Sequence, residues 1–426
     1  MAPAETDGAA ARGYRPILFG HRGELEALNH LDGTMVPLVT PILRVPATDR
    51  GPRVDAARFA SELRSRTPDR LVVGIDLADL GTDDVAVCAA GRELARALAE
   101  RGVPVLPVVR LSDADCRLTE HATAARTHLH RAIVRIEPRQ PPGAGDRGWG
   151  ADNRDATGRI GATLRLDRVL RLLRLPPERC DLVLDLAAVG CAADVRHEDR
   201  RVRRIVDWAR DRSWRSITVT SGAMPVSLSG LPTGQPSRLF RWDWALWSSL
   251  RDLSVDFGDY GLSAPDPATG PGRPLPTLRY TAGDSWWIYR CSRHGSGRDD
   301  DRFHDLCRTL VSAEHWPAAG SAFSWGDQEI ARRARYTPGP GSTASWIAWG
   351  TSHHLAEVVR ALNPPGHPHQ TDPSTPTRRP TTPPNRTSSW NRSEPSDRTT
   401  LTDRSAPAPR DGTGEGFRRG RRPRRR

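Results

Sequence analysis

Short apolar runs alternate with stretches of helical apolar spacing along most of this chain. Leu25, Leu28 and Leu31 fall at helical spacing, and Gly23 loosens the entry to that helix. M-V-P-L-V-T-P-I-L, from Met35, is an apolar run between Gly33 and Pro46, the pattern of a strand buried on both faces. The unit then repeats. Helical spacing at Phe59 and Leu63 leads to L-V-V-G-I-D-L at Leu71, and a helix over 83–101 leads to V-P-V-L-P-V-V-R-L at Val103. Amphipathic residues 113–129 lead to A-I-V-R-I-E at Ala132, and a helix over 164–175 leads to D-L-V-L-D-L at Asp181. A helix over 198–212 leads to S-I-T-V-T-S-G at Ser216, and a Trp-rich helix over 238–253 leads to S-V-D-F-G-D-Y-G at Ser254.

Counting Met35, Leu71, Val105, Ile133, Leu182, Ile217, Val255 and Leu278 gives eight strands, most of them separated by a helix. Strand–helix alternation implies parallel pairing through right-handed crossovers, and eight such units close a barrel. The expected fold is an α/β, irregular (β/α)8 TIM-barrel-like domain. An open doubly wound sheet is the rival, but no G-x-G-x-x-G follows a strand. The irregularity is expected at 262–277, which is Pro-rich and has no helical period.

Residues 278–363 are expected to supply the eighth strand and the closing helices. They hold six of the thirteen Trp. With Trp242, Trp244 and Trp247, these read as core and helix-packing surface, because a base-stacking platform would need aromatics along a basic groove. Ser324 and Ser352 read as N-caps. Asp327, three residues after Ser324, completes a near capping box.

Two segments resist folding on paper. Residues 138–159 (P-R-Q-P-P-G-A-G…) read as a loop insertion, and 364–426, almost free of apolar residues, reads as a disordered tail. With a flexible arm at 1–13, this leaves 14–363 as the folded domain. Charge sharpens the division. The net charge is +12, and the tail alone, with fourteen Arg against six Asp or Glu, carries +8. The tail reads either as solvated chain or as a non-specific binder of nucleic-acid phosphates; nothing in it reads bases.

All 63 basic residues are Arg. Schiff-base lysine chemistry and the P-loop lysine are therefore excluded. The six Cys include no C-x-x-C pair, which argues against a zinc finger, and a disulfide framework is not expected in so long a chain; no metal site is expected. No run approaches the roughly 18 apolar residues of a membrane span, and the N-terminus has no basic n-region. The expectation is a reduced, soluble, cytoplasmic protein.

In barrels, function sits where strands end at the C-terminal face. Those ends give Asp76, Arg110, Arg135 with Glu137, Asp185, Ser221 with Gly222, and Asp259, with Tyr280 as an addition. Four carboxylates and two arginines at one mouth suit a polar or anionic ligand clamped by Arg; alternatively, the charges pair and stabilise the rim. Asp76, Glu137, Asp185 and His21 are the catalytic candidates, and Arg110, Arg135, Asp259, Tyr280, His353 and His354 the ligand-binding ones. His353 and His354 point about 100° apart on a helix and cannot jointly chelate as i, i+4 histidines do. Each is a ligand or base, or else a packing residue. H-R-G-E (His21–Glu24) looks like the first motif of glycerophosphodiester phosphodiesterases, in which a His does acid–base work and a Glu binds a divalent metal. Here E-L-E-A follows it instead of P-E-N-T.

Two blocks carry a wider resemblance. One is Y-R-P-I-L, R-G-E-L-E-A-L and the V-P-L run, over 14–46. The other is R-Y-T, W-W-I-Y-R, F-S-W-G-D-Q-E-I and W-I-A-W-G-T-S-H-H-L, over 278–363. With the ladder between them, the chain resembles the beta protein family, named for the beta protein of T-even phages. The resemblance implies a barrel-like fold and no agreed activity. His21–Arg22 stand where the family often has Lys, so a role needing a primary amine is not carried over. Two functions remain: a ligand- or partner-binding protein, in a phage–host conflict setting, using a charged barrel mouth; or a hydrolase of a phosphorylated or nucleotide-like substrate at the same mouth. No cofactor is assigned.

Overall fold

A computed structural model describes residues 11–137, 156–267, 275–291, 299–335 and 339–364. The tail from 365, residues 1–10 of the arm and most of the insertion lie outside them. Residues 156–159, assigned to the insertion, form the first turn of a helix. Arg12 and Gly13, assigned to the arm, are held by hydrogen bonds to Asn363 and Asp256.

Eight parallel strands follow one another around a sheet: β1 (Ile17–Leu18), β2 (Ile42–Arg44), β3 (Val73–Asp76), β4 (Val105–Arg110), β5 (Ala132–Ile136), β6 (Cys180–Ala188), β7 (Ser216–Gly222) and, after a short strand β8 (Ser237–Phe240) that lies elsewhere, β9 (Asp256–Gly258). The ends meet. Arg15 N–H donates to Phe257 O (2.9 Å) and Ile17 N–H to Asp259 O (2.7 Å), while Tyr14 pairs with both Val39 and Phe257. Between the strands run α1 (Arg22–Asn29), α2 (Pro52–Ser65), α3 (Asp84–Glu100), α4 (Asp115–Thr127), α5 (Ala156–Leu173), α6 (Ala192–Ala209) and α7 (Trp242–Ser249). The (β/α)8 barrel expected from the alternation is present.

Its membership differs from the expectation in three places. The first strand is Ile17–Leu18, which is too short for periodicity to show between Pro16 and the left-handed Gly20 (φ +66°). The run at Met35 splits at its prolines: Val36–Leu38 form a 3-10 turn, and β2 begins after Pro41. Leu278 is not the eighth barrel strand. It lies in β10 (Thr277–Ala282), which pairs antiparallel with β11 (Ser285–Arg290), and β11 pairs antiparallel with β8. Gly283 (φ +55°) and Asp284 make the two-residue turn between β10 and β11.

Strand phase sorts the core. Ile17, Phe19, Ile42, Leu106, Val108, Ile133, Val183 and Tyr260 fill the barrel interior. The opposite phase, including Leu18, Leu43, Ile75, Val109, Val134, Leu184 and Phe257, faces the helix shell.

The chain then adds α8 (Asp299–Val311), α9 (Trp325–Ala334) and α10 (Thr343–Leu362). Helix α10 completes the shell: Leu355, Val358, Val359 and Leu362 join the barrel–helix core, and α10 packs beside α1 and β10. Ser324 caps α9, its Oγ accepting from Asp327 N–H. Ser352 is not a cap. It lies inside α10, whose N-cap is Ser342, and its Oγ accepts from Gly326 N–H (3.2 Å). Two glycines explain the close crossings. A Cβ on Gly326 would lie 2.0 Å from Trp349 O, and one on Gly350 2.6 Å from Arg279 O. The Trp residues pack as expected: Trp247, Trp286 and Trp349 are buried, and Trp242, Trp244, Trp287, Trp316, Trp325 and Trp346 lie half-buried against the cores. Among the described residues, no helix is long and apolar enough to cross a membrane.

Candidate functional site

The interior phase that buries Ile133 and Val108 carries Arg135, Glu137 and Arg110 up to the C-terminal end of the barrel. The same phase brings Arg44 from β2, Asp76 from β3 and Asp185 from β6 to that mouth. Gly74, one step below Asp76, makes room for the layer beneath, since a Cβ there would meet Ile133 Cδ1 at 2.7 Å.

Asp76 is the hub. It is buried (1% exposed) and accepts Arg110 Nη1 and Nη2 (both 2.7 Å), Arg135 Nη1 (2.6 Å) and Ala78 N–H (3.0 Å). Burial opposes its charge, but Arg110 and Arg135 outweigh burial and hold the carboxyl well below the usual carboxylate range. Arg135 also donates through Nε to Asp185 (2.9 Å) and lies 3.0 Å from Glu137, which accepts Arg110 Nε (3.1 Å). Tyr260 O–H donates to Asp185 Oδ2 (2.6 Å). Asp185 Oδ1 accepts Ala187 N–H (3.0 Å), and Ala187 is left-handed (φ +55°) beside a register shift in β6. A non-glycine residue in that region costs about 1–3 kcal/mol and clusters at working sites.

Arg110, Arg135, Glu137, Asp185, Ala187 and Tyr260 line one cavity of about 770 Å³; Asp76, buried, pairs with its two arginines but is not itself a wall residue. Its rim adds Arg44, bidentate on Asp79 (2.7 and 2.7 Å) and 4.5 Å from the Phe19 ring, and Arg117, which donates to Asp84 and to Gly81 O. The described wall holds four Arg and six carboxylates. All four guanidiniums are engaged by carboxylates. Asp113 accepts the Arg110 backbone N–H (2.7 Å) and, like Asp266, forms no ion pair among the described residues. Among the described residues the wall is thus acidic, and Asp113 and Asp266 lack a guanidinium partner.

The structure separates the remaining candidates from this cavity. His21 follows β1 at the same end, exposed, with its ring 6.4 Å from Phe19. Burial, then Arg44 and Arg58, lower its pKa. Glu24, the expected partner of His21, is buried and accepts His21 N–H (3.1 Å) at the start of α1; burial pushes it up to about 7, partly offset by backbone N–H groups and Arg44. Asp259 is one step out of phase with Tyr260 and faces the helix shell. There it accepts Tyr14 O–H (2.7 Å) and lies 2.9 Å from His354 Nε2, whose Nδ1 is 2.7 Å from Thr281 Oγ1. Tyr280 and His353 form a second buried cluster. Asp327 accepts Tyr280 O–H (2.7 Å) and Ser324 O–H (2.6 Å), with His353 Nδ1 at 2.9 Å and His353 Nε2 2.7 Å from Thr281 O. Asp259, Tyr280, His353 and His354 therefore lock α9, α10 and β10 to the barrel and do not meet at the mouth. Ser221 and Gly222 end β7 but are not among the cavity walls.

Arg44, Asp79 and Tyr260 were not among the expected site residues. Phase could have found two of them: Arg44 is two residues after Ile42, and Tyr260 two after Gly258; Asp79 lies in the 3-10 turn after β3, where strand phase no longer applies. The opposite barrel end has its own ion cluster. Asp181, fully buried, is held by Arg131 (2.7 Å), Arg215 (3.1 Å), Arg15 (3.4 Å) and Ser216 (2.6 Å). On that face such clusters serve stability.

A family model described as Beta protein matches residues 14–360. No curated protein matches the chain. Among solved structures, one described as a structural study from Aquifex aeolicus VF5 is 12% identical, covers 50% of this chain and 84% of its own, and superposes with a TM-score of 0.25.

Proposed function

The chain belongs to the Beta protein family, and from that premise we propose that it is a binding protein whose ligand occupies the barrel mouth. The observation that carries this is the cavity of about 770 Å³ with a wall of preformed Arg–carboxylate pairs. Paired charges on stiff strand ends present fixed donors and acceptors at little reorganisation cost. The charge balance selects the ligand. With every described wall guanidinium engaged, and Asp113 and Asp266 without a guanidinium partner among the described residues, a polyhydroxylated or cationic group fits better than the anion expected from Arg110 and Arg135 alone. The hydrolase alternative has less support: the Asp76 oxygens are taken by Arg110, Arg135 and Ala78 N–H, which leaves the carboxylate neither a proton to donate nor a free lone pair to act as base, and the Glu24 carboxyl is spent inside the start of α1.

The test is a thermal-shift panel on the full chain with spermidine, glucosamine, adenosine and ATP. Spermidine or glucosamine should raise Tm, and ATP should raise it less. A panel in which only ATP stabilises would contradict the charge reading. Phage–host conflict is the setting we attach to this proposal; cells expressing the chain or a cavity-filled variant, challenged with phage, test it. We assign the Arg-rich tail a separate, sequence-independent affinity for nucleic-acid backbones, resting on its charge of +8.

A further inference from the structure

A second cavity, of about 330 Å³, lies between the C-terminal end of α1 and the α9–α10 pair. It shares no wall residue with the mouth. His30, Asp32, Phe323, Trp325, Gln328 and Arg360 define it. Its walls are flat and already stacked: the His30 ring lies 3.9 Å from the Trp325 ring at 7°, and the Arg360 guanidinium lies 4.0 Å from the Phe323 centroid. A guanidinium laid on an aromatic face keeps its in-plane N–H fork free for a carboxylate or phosphate. The other charges on the wall are committed. Asp32 accepts Thr34 N–H (2.8 Å) and its hydroxyl, and His30 Nε2 faces Glu26 at 3.4 Å. Arg360 has no hydrogen bond or ion pair among the described residues, although its charge, after the Thr34 hydrogen bonds, helps lower the pKa of Asp32.

We propose that this cavity is a second ligand site, for a small organic anion whose flat ring lies against the stacked Trp325–His30 pair and whose carboxylate or phosphate takes the Arg360 fork. The F-S-W-G-D-Q-E block then has two roles. Ser324 and Asp327 fasten α9 to β10 and α10, while Phe323, Trp325 and Gln328 face the cavity.

Calorimetric titration of the full chain decides it. The probes are indole-3-acetate and adenosine 5′-monophosphate, with indole and adenosine as uncharged counterparts. At least one acid should bind saturably at millimolar concentration or below, about tenfold tighter than its neutral counterpart; which acid binds tells carboxylate from phosphate. Arg360→Gln should weaken that binding about tenfold, a loss of ~1.4 kcal/mol, at unchanged Tm, because Arg360 is exposed. Ser112→Trp, which places an indole at the mouth, should leave it unchanged, so this site and the mouth fail independently. The proposal is overturned if neither acid binds, if Arg360→Gln binds as tightly as wild type, or if Ser112→Trp abolishes binding.

Discussion

Replacing Asp76 by Asn removes the carboxylate on which Arg110 and Arg135 converge. Shape is retained and two N–H···O contacts remain possible, but two guanidiniums keep their charges in a site only 1–13% exposed with one counter-charge fewer. Breaking a buried ion pair in this way costs about 3–5 kcal/mol. With a urea m value of ~3 kcal/mol/M, the unfolding midpoint followed by far-UV circular dichroism should fall by about 1–2 M. The pH dependence follows from the depressed Asp76 pKa. Its contribution is complete above the unfolded-state value, near pH ~4, and is lost as pH falls through the folded value. The gap between wild type and Asp76→Asn should therefore be level from about pH 5 to 8 and narrow below ~4. Asp181→Asn is the control: it strips an equally buried carboxylate from three arginines at the other end of the barrel. It should cost a similar amount and leave ligand binding intact, whereas Asp76→Asn should weaken both. A change under about 0.5 kcal/mol for Asp76→Asn, the size of an ordinary surface substitution, would refute the hub.

Glu24 reverses the pH sign. Its folded pKa is raised to about 7, so its contribution is complete below the unfolded-state value and is lost as pH rises through the folded one. Relative to Glu24→Gln, wild type should lose about 3–4 kcal/mol between pH ~4 and ~8, read as Tm against pH; parallel curves would refute this. Gly326→Ala should destabilise by about 3 kcal/mol in chemical denaturation, because its Cβ meets the Trp349 carbonyl at 2.0 Å, where only backbone movement gives relief. Deleting 364–426 should abolish salt-sensitive binding of single-stranded DNA and leave Tm unchanged; a lowered Tm would move the domain boundary.

The alternation of buried strands and amphipathic helices was enough to read the barrel, because two-sided burial forces continuous apolar runs. Its ends were harder. Ile17–Leu18 offers two residues between Pro16 and Gly20, and its strand character comes from partners on β2 and beside β9 that are distant in sequence. The β10–β11 hairpin did carry a local signal: Gly283–Asp284 is a two-residue turn between alternating runs. The mouth was legible for Asp76, Arg110, Arg135, Glu137 and Asp185, which continue the interior phase of their strands to its C-terminal end. Asp259 was misplaced by one residue of phase, which in a strand is the difference between barrel interior and helix shell. His353 and His354 could not be placed from their helix alone. Their partners, Asp327, Asp259 and Thr281, come from three other segments.

The central claim is that the mouth is a ligand site, and Ser112→Trp tests it most directly. Ser112 is exposed in the turn after β4 and lines the cavity, so an indole there narrows the mouth without disturbing the core. Calorimetry of spermidine and glucosamine against wild type and Ser112→Trp should show saturable binding of at least one to wild type, and its loss in the variant at unchanged Tm. Binding that survives in Ser112→Trp, or no binding to wild type, would contradict the account.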